Sequence, residues 1–223
     1  MKKRRIFRNL NDKEFAWVLY DVGNSAYTML ACALIPIWFK AMAIGTKPGQ
    51  LTSDRATAYY SMAIAVITIV VALLGPMCGA ISDYKGMKKI FFTSTVAVGV
   101  CGCILNGFAC QWIVFLLLFA VTKIFYNMSL MFYDSMLNDI TTEERMDEVS
   151  SYGYAWGYLG SCIPFLIALV AYVLGPDMAG IISGKLSMAI GFAVTGLWWL
   201  LVTVPLIKNY KQINYVEKKE HAV

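Results

Sequence analysis

Apolar residues run along this chain in six long blocks, 16–43, 58–82, 90–109, 112–137, 151–174 and 186–207, parted by short polar segments. Each block has the roughly 20 residues that a helix rising 1.5 Å per residue needs to cross about 30 Å of hydrocarbon. The polar breaks differ in character. One is the loop with Lys47, Pro48, Gly49 and Asp54, another the charged turn from Asp83 to Lys89, and the third and fourth blocks are separated by almost nothing. The pattern predicts an all-α integral membrane protein with six transmembrane helices. A basic amino terminus (1–15) precedes the bundle (16–207), and a charged tail or linker (208–223) comes after it.

Composition sharpens this. Of 223 residues, 59% are hydrophobic and 15% charged, against roughly 45–50% and about 25% in soluble domains. Lipid solvates such runs provided that backbone polar groups pair internally, and helices do this. The formal charge of +5 does not point to nucleic acid, because most cations lie in short segments between apolar blocks. Basic residues up to Lys13 and the triplet Ala31-Cys32-Ala33 imitate a signal peptide. The intervening stretch holds Asp21 and Asn24 and is too long for one, so the first helix is expected to be retained. Cys32, Cys78, Cys101, Cys103, Cys110 and Cys162 show no metal spacing and read as buried packing thiols. No cofactor is expected.

Orientation can be read from the cations. With the amino terminus inside, the inner segments hold 14 (Lys2, Lys3, Arg4, Arg5, Arg8, Lys13, Lys85, Lys88, Lys89, Arg145, Lys208, Lys211, Lys218 and Lys219). The outer loops hold only Lys47, Arg55 and Lys185, and Lys40 and Lys123 fall within helices. Because cytoplasmic segments keep the positive charge, both termini are expected in the cytoplasm.

Two helices carry polar groups that lipid should exclude. In the first, Asp21, Asn24, Ser25 and Thr28 stand at i, i+3, i+4 and i+7 on one face, flanked by Tyr20 and Tyr27. In the fourth, Lys123, Asn127 and Asp134 recur at i, i+4 and i+11 on one face, beside Tyr126. Lys123 lies 11 residues beyond Trp112, roughly 16 Å along the helix and near the bilayer centre. A lysine there costs about 2.5–3.5 kcal/mol, so it should face a partner or a wet cavity. These residues are expected to line a substrate or proton pathway. The competing reading is a buried pair, such as Lys123 with Asp21, that only sets helix register.

The first and fourth helices each open a three-helix unit. Gly75-Pro76 in the second helix and Gly160 with Pro164 in the fifth are expected to interrupt matching members. Equivalent polar or broken helices in units of opposite orientation are what an inverted repeat produces. Gly153, Gly157 and Gly160 with Ser161 form a small-residue stripe suited to close helix packing.

Between the second and third helices stand Gly79, Asp83, Gly86, Lys88 and Lys89, in a spacing that resembles the signature loop of the major facilitator superfamily. Tyr84 occupies a position where that loop usually has a basic residue, with Lys85 one place late. The glycines permit a tight turn and close approach, and Asp83 can cap a helix amino terminus. The resemblance implies a loop that latches a cytoplasmic gate against a second six-helix half. Three further segments, Trp17 to Tyr27, Phe132 to Ile140 and Ser150 to Gly160, resemble the vacuole-effluxer family of autophagy-related permeases and their bacterial relatives. Asn138 stands where a proline is expected. Fungal members of that family are associated with amino-acid efflux from the vacuole.

Together these features predict half a major facilitator fold, built of two three-helix inverted repeats in a cell membrane of bacterial rather than vacuolar type. Such a chain would move a small solute, amino acids included, together with a separate or lost second half or with a second copy of itself. Two other classes stay open. One is an assembly subunit without transport of its own. The other is an intramembrane protease using Asp21 and Asp134, although the Gly-x-Gly-Asp signature is missing and the sole histidine is His221 in the tail.

Overall fold

The computed structural model describes residues 9–176 and 178–217. Lys2, Lys3, Arg4, Arg5, Arg8, Lys218, Lys219 and His221 lie outside the described residues. Six helices succeed one another: α1 (Asp12–Ala43), α2 (Ser53–Ser82), α3 (Met87–Asn106), α4 (Trp112–Ile140), α5 (Met146–Val173) and α6 (Gly184–Asn209). A 3-10 turn, Glu143–Arg145, leads into α5. All six are long and apolar enough to cross a membrane. Among the described residues there is no strand, only two isolated bridges, Ile44 with Leu51 and Tyr84 with Val216.

Three helices begin four or five residues ahead of their apolar blocks. α1, α2 and α5 start at Asp12, Ser53 and Met146 with acidic residues in the first turn, Asp12 and Glu14, Asp54, and Asp147 and Glu148. Hydropathy marks where hydrocarbon lies, whereas carboxylates near the positive end of the helix dipole let a helix continue into the polar interface. α1 is closed by a capping box: the Asn11 side chain accepts from the backbone N–H groups of Lys13 and Glu14, and Glu14 accepts from the Asn11 N–H.

The expected interruptions at Gly75-Pro76 and at Gly160 with Pro164 do not occur, since α2 and α5 run unbroken through Pro76 and Pro164. A proline removes one ladder bond, but apolar surroundings offer the neighbouring carbonyls no other partner, so the rest of the helix persists.

α1 is the hub, packed against α5, α6 and α4, while α2 meets chiefly α4. Aromatic side chains fill the interior, with Tyr20, Tyr27, Phe92, Phe115, Phe192 and Trp199 fully buried. The outside is apolar. On α2, Met62, Val66, Ile69, Leu73 and Met77 form an exposed stripe, and on α5 Leu159, Ile163, Leu166 and Val170 do the same. Surfaces of this extent require lipid or another apolar bundle. The cysteines share this inversion: Cys103 alone is buried, whereas Cys32, Cys101, Cys110 and Cys162 are exposed, which corrects the expectation of buried packing thiols. An apolar residue on a membrane helix is as well placed facing outward as inward.

Candidate functional site

The polar face of α1 is held open by the glycines of α5. A Cβ on Gly160 would lie 2.4 Å from Val22 Cγ1, so the two helices touch there without a side chain between them. One and two turns earlier, a Cβ on Gly157 would stand 2.9 Å from Ser25 Oγ and 3.3 Å from Asp21 Oδ2, and one on Gly153 would stand 3.1 Å from Asp21 Oδ2. The absence of these atoms leaves a cavity of about 270 Å³ between α1, α4 and α5.

Asp21, Asn24, Ser25 and Thr28 line it from α1. The Asn24 amide donates to Asp21 Oδ1 at 3.1 Å, which orients the carboxylate, and Thr28 shares a short hydrogen bond with the Tyr126 hydroxyl of α4. From α4 come Tyr126, Leu130, Tyr133 and Asp134, with Asp134 exposed at the rim. Tyr133 stacks on Trp17 at 4.2 Å between ring centroids, and the Trp17 indole N–H donates to the Tyr133 carbonyl at 3.1 Å. The Tyr133 hydroxyl is buried without a hydrogen-bond partner. Ser150, Tyr154 and Tyr158 complete the wall from α5, the two tyrosines being largely exposed.

Five of the expected pathway residues therefore meet in one place: Asp21, Asn24, Thr28, Tyr126 and Asp134. Three do not line it. Tyr20 turns into the core, fully buried, its hydroxyl 2.7 Å from Ser129 Oγ. Lys123 and Asn127 lie further along α4. The Lys123 ammonium sits over the Tyr126 ring at 4.6 Å and the Tyr27 ring at 5.7 Å, and it makes no ion pair among the described residues, so the Lys123–Asp21 pair does not form. Cation–π contact of this kind holds an ammonium by about 0.5–2 kcal/mol. Lys123 and Asp134 do share a helical face, but 11 residues separate them, about 16 Å of axis, and the bonded Thr28–Tyr126 pair stands between.

The signature-like loop also departs from expectation. Gly86 is left-handed (φ 77°) and serves as the N-cap of α3, which the turn requires. Gly79 has nothing within 4 Å of where a Cβ would be, so no helix among the described residues approaches it. Asp83 ends α2 and caps no amino terminus here, its half-exposed side chain lying 3.9 Å from Lys88 Nζ. Lys88 is buried, 3.7 Å from Asp139 Oδ2, and Lys89 reaches the Tyr210 carbonyl at 3.4 Å.

Two polar centres are not foreshadowed by the motifs. Asp139, at the end of α4, is wholly buried and gathers the segment after α6: it accepts from the Tyr210 hydroxyl, from Ile213 N at 3.2 Å and from Asn214 N at 2.7 Å. Burial first, and then the bond to the Asp139 carboxylate, push the Tyr210 hydroxyl above its ordinary pKa. Val216 N donates to the Asp83 carbonyl at 2.8 Å, so this segment lies across the α2–α3 turn. Glu14, likewise buried, meets Arg145 at 3.2 Å and accepts from Thr141. The signal for both was a carboxylate beside a helix end with basic residues in a neighbouring turn, which linear spacing cannot pair.

Six apolar helices with a polar cavity between α1, α4 and α5 form a multi-pass membrane bundle consistent with half of a major facilitator fold. The chain belongs to the family described as vacuole effluxer Atg22 like, whose model matches residues 11–221. It is also 35% identical over 221 residues to a Bacillus subtilis (strain 168) protein named "Uncharacterized MFS-type transporter YxiO", a match covering 98% of this chain and 51% of the relative. The chain thus spans about half the length of that relative. No solved structure matches it.

Proposed function

We propose that this chain forms one half of a secondary active transporter, with both termini in the cytoplasm of a bacterial-type cell membrane, and that its solute passes through the cavity between α1, α4 and α5. The observation that carries this reading is the cavity itself: two carboxylates, an amide and several hydroxyls gathered between three helices of a largely apolar bundle. Intramembrane ionisable groups mark substrate or ion pathways because their desolvation is otherwise unrewarded. Alternating access rocks two bundles about a site held between them, and one bundle supplies half of that site. A small solute is the cargo we propose, amino acids among them, as the resemblance to fungal vacuole effluxers implies. A second six-helix half is the favoured partner, ahead of a second copy of this chain, because Gly79 and Asp83 offer a surface that no other helix among the described residues covers.

The test is flux in proteoliposomes. The 223-residue chain alone should give none, and co-expression with the remaining half of the Bacillus relative should restore saturable uptake that Asp21→Asn abolishes at unchanged expression. Saturable uptake by the chain alone would overturn the half-transporter reading, and uptake indifferent to Asp21 would remove the cavity from the pathway.

A further inference from the structure

We infer that the cavity recognises a primary ammonium group, held between Asp21, Asp134 and the Tyr133 hydroxyl, so that the preferred solute is a compact amine carrying net positive charge at the site. This rests on the cavity being the solute site.

Charge is the first consideration. Asp21 and Asp134 line the cavity, no lysine or arginine does, and neither carboxylate is ion-paired among the described residues. Asn24 satisfies one oxygen of Asp21, at 3.1 Å, and leaves Oδ2 directed at the bare faces of Gly153 and Gly157. The cation nearest in the sequence pattern, Lys123, is occupied with the rings of Tyr27 and Tyr126. A partly buried carboxylate without a counter-charge is unfavourable in apolar surroundings, and a cationic occupant relieves it.

The second observation is independent of charge. Tyr133 is 3% exposed, lines the cavity, and its hydroxyl has no partner. That hydroxyl lies 3.5 Å from the point where a Cβ of Gly153 would stand, a point 3.1 Å from Asp21 Oδ2. Oxygens from α1 and α4 thus face the same stretch of bare α5 backbone, with no side chain of α5 standing between them. A buried hydroxyl without a bond is costly in a finished structure, which marks the cavity wall beside Gly153 as one that a ligand completes.

The walls decide among cations. Trp17, Tyr126, Tyr154 and Tyr158 present aromatic surface around the carboxylates. Ring faces favour an organic ammonium, whereas a hard metal cation wants about six or more oxygen ligands, and no group of three metal-binding side chains occurs among the described residues. An ammonium offers three donors, two for Asp21 Oδ2 and the Tyr133 hydroxyl beside Gly153 and one for Asp134 at the rim. The volume of about 270 Å³ admits only a compact molecule.

Three nearly isosteric probes separate the possibilities at neutral pH: leucine methyl ester (cation), leucine (zwitterion) and N-acetyl-leucine (anion), each titrated calorimetrically into the protein in lipid nanodiscs. A charge-assisted bond corresponds to about 10- to 100-fold in affinity. The ester should therefore bind at least about tenfold more tightly than leucine, and the anion not at all. Asp21→Asn and Asp134→Asn should each erase that preference, Asp134→Glu should retain most of it, and Tyr133→Phe should weaken the ester alone. Asp134→Glu and Tyr133→Phe guard against loss of fold, which size exclusion also reports. Equal binding of all three probes, preference for the anion, or carboxylate variants that alter only proton release would overturn the ammonium assignment. If the protein ignores the ester but Asp21→Asn still abolishes uptake of another solute, the ammonium inference fails while the transport reading stands. Carboxylate variants that bind every probe as the parent does would remove the cavity itself as the solute site.

Discussion

Replacing Asp139 by alanine removes the acceptor that takes four hydrogen bonds from the segment after α6. The side chain is 0% exposed, and it holds the Tyr210 hydroxyl, two backbone N–H groups and the Asn214 amide while facing Lys88 at 3.7 Å. Hydrogen bonds to a charged acceptor contribute about 1.5–3 kcal/mol each, though not additively. Lys88, its side chain 6% exposed, would keep only the solvated Asp83 at 3.9 Å and the Ser135 carbonyl at 3.4 Å. Stranding one member of a buried pair costs about 3–5 kcal/mol, which corresponds to at least a hundredfold or so in the equilibrium for local opening. The transmembrane helices do not depend on these bonds, so the loss should be confined to residues 210–217 and the α2–α3 turn. Hydrogen exchange read by mass spectrometry checks this: the Ile213, Asn214 and Val216 amides should lose protection in Asp139→Ala, with α1 unchanged. Asp139→Asn should show a smaller loss, and adding Lys88→Met should recover part of it by removing the stranded charge. Unaltered protection at Ile213 and Asn214 would refute the assignment of Asp139 as the organising group.

Tyr210 donates to Asp139 only as the neutral phenol, and its raised pKa means that docking is fully present below the unfolded value of about 10 and is lost as pH rises through the higher folded one; proteolysis at Lys211 should be flat from neutral pH to about pH 9 and accelerate only in stronger alkali. Gly160→Ala places a methyl 2.4 Å from Val22 Cγ1, so α1 and α5 must part, and thermal stability in detergent should fall by about 1–3 kcal/mol. Reporter fusions at Pro48 and Pro176 should read external and one at Lys88 cytoplasmic; an external signal at Lys88 would reverse the orientation proposed from the cation count.

Some of this architecture is written locally and some is not. The six spans are legible because apolar length alone decides what crosses a membrane, and the α1 face of Asp21, Asn24, Ser25 and Thr28 is legible because helical periodicity is local. The α4 face was legible as a direction but not as a site: angular agreement between Lys123 and Asp134 says nothing of depth, and the Thr28–Tyr126 bond that divides them joins residues 98 apart. Tyr133, Tyr154 and Tyr158 fall within the segments that carry the family resemblance but are not legible as site residues, because a tyrosine in an apolar helix carries no sign of which way it faces. The Asp139 centre was invisible for a related reason, since its partners are 71 to 75 residues away in a tail that reads as an ordinary charged terminus.

The cavity is bounded by only three helices, and its remaining side bears directly on the second half proposed for the bundle. Asp134, Tyr154 and Tyr158 are exposed at its rim, the first two only three residues from the ends of their apolar blocks, so the opening would set a carboxylate and two hydroxyls where headgroups give way to acyl chains. Lipid cannot satisfy these groups, and each unsatisfied one costs several kcal/mol. Headgroup water can cover the shallow part of the rim, and the second half proposed above would cover the rest of the opening. The apolar stripes of α2 and α5 are suited to that contact, since they can bury against a second bundle without desolvating any charge. Gly79 lets a neighbouring backbone come close at the end of α2, and Asp83 stands beside it with a half-exposed carboxylate that can meet the amino terminus of an incoming helix. A second copy of this chain would bring Asp83 against another Asp83 wherever a twofold axis passed near the loops, and like charges there repel. A complementary half with a helix amino terminus at that position turns the same carboxylate into an attraction, which is the physical ground for preferring a distinct partner.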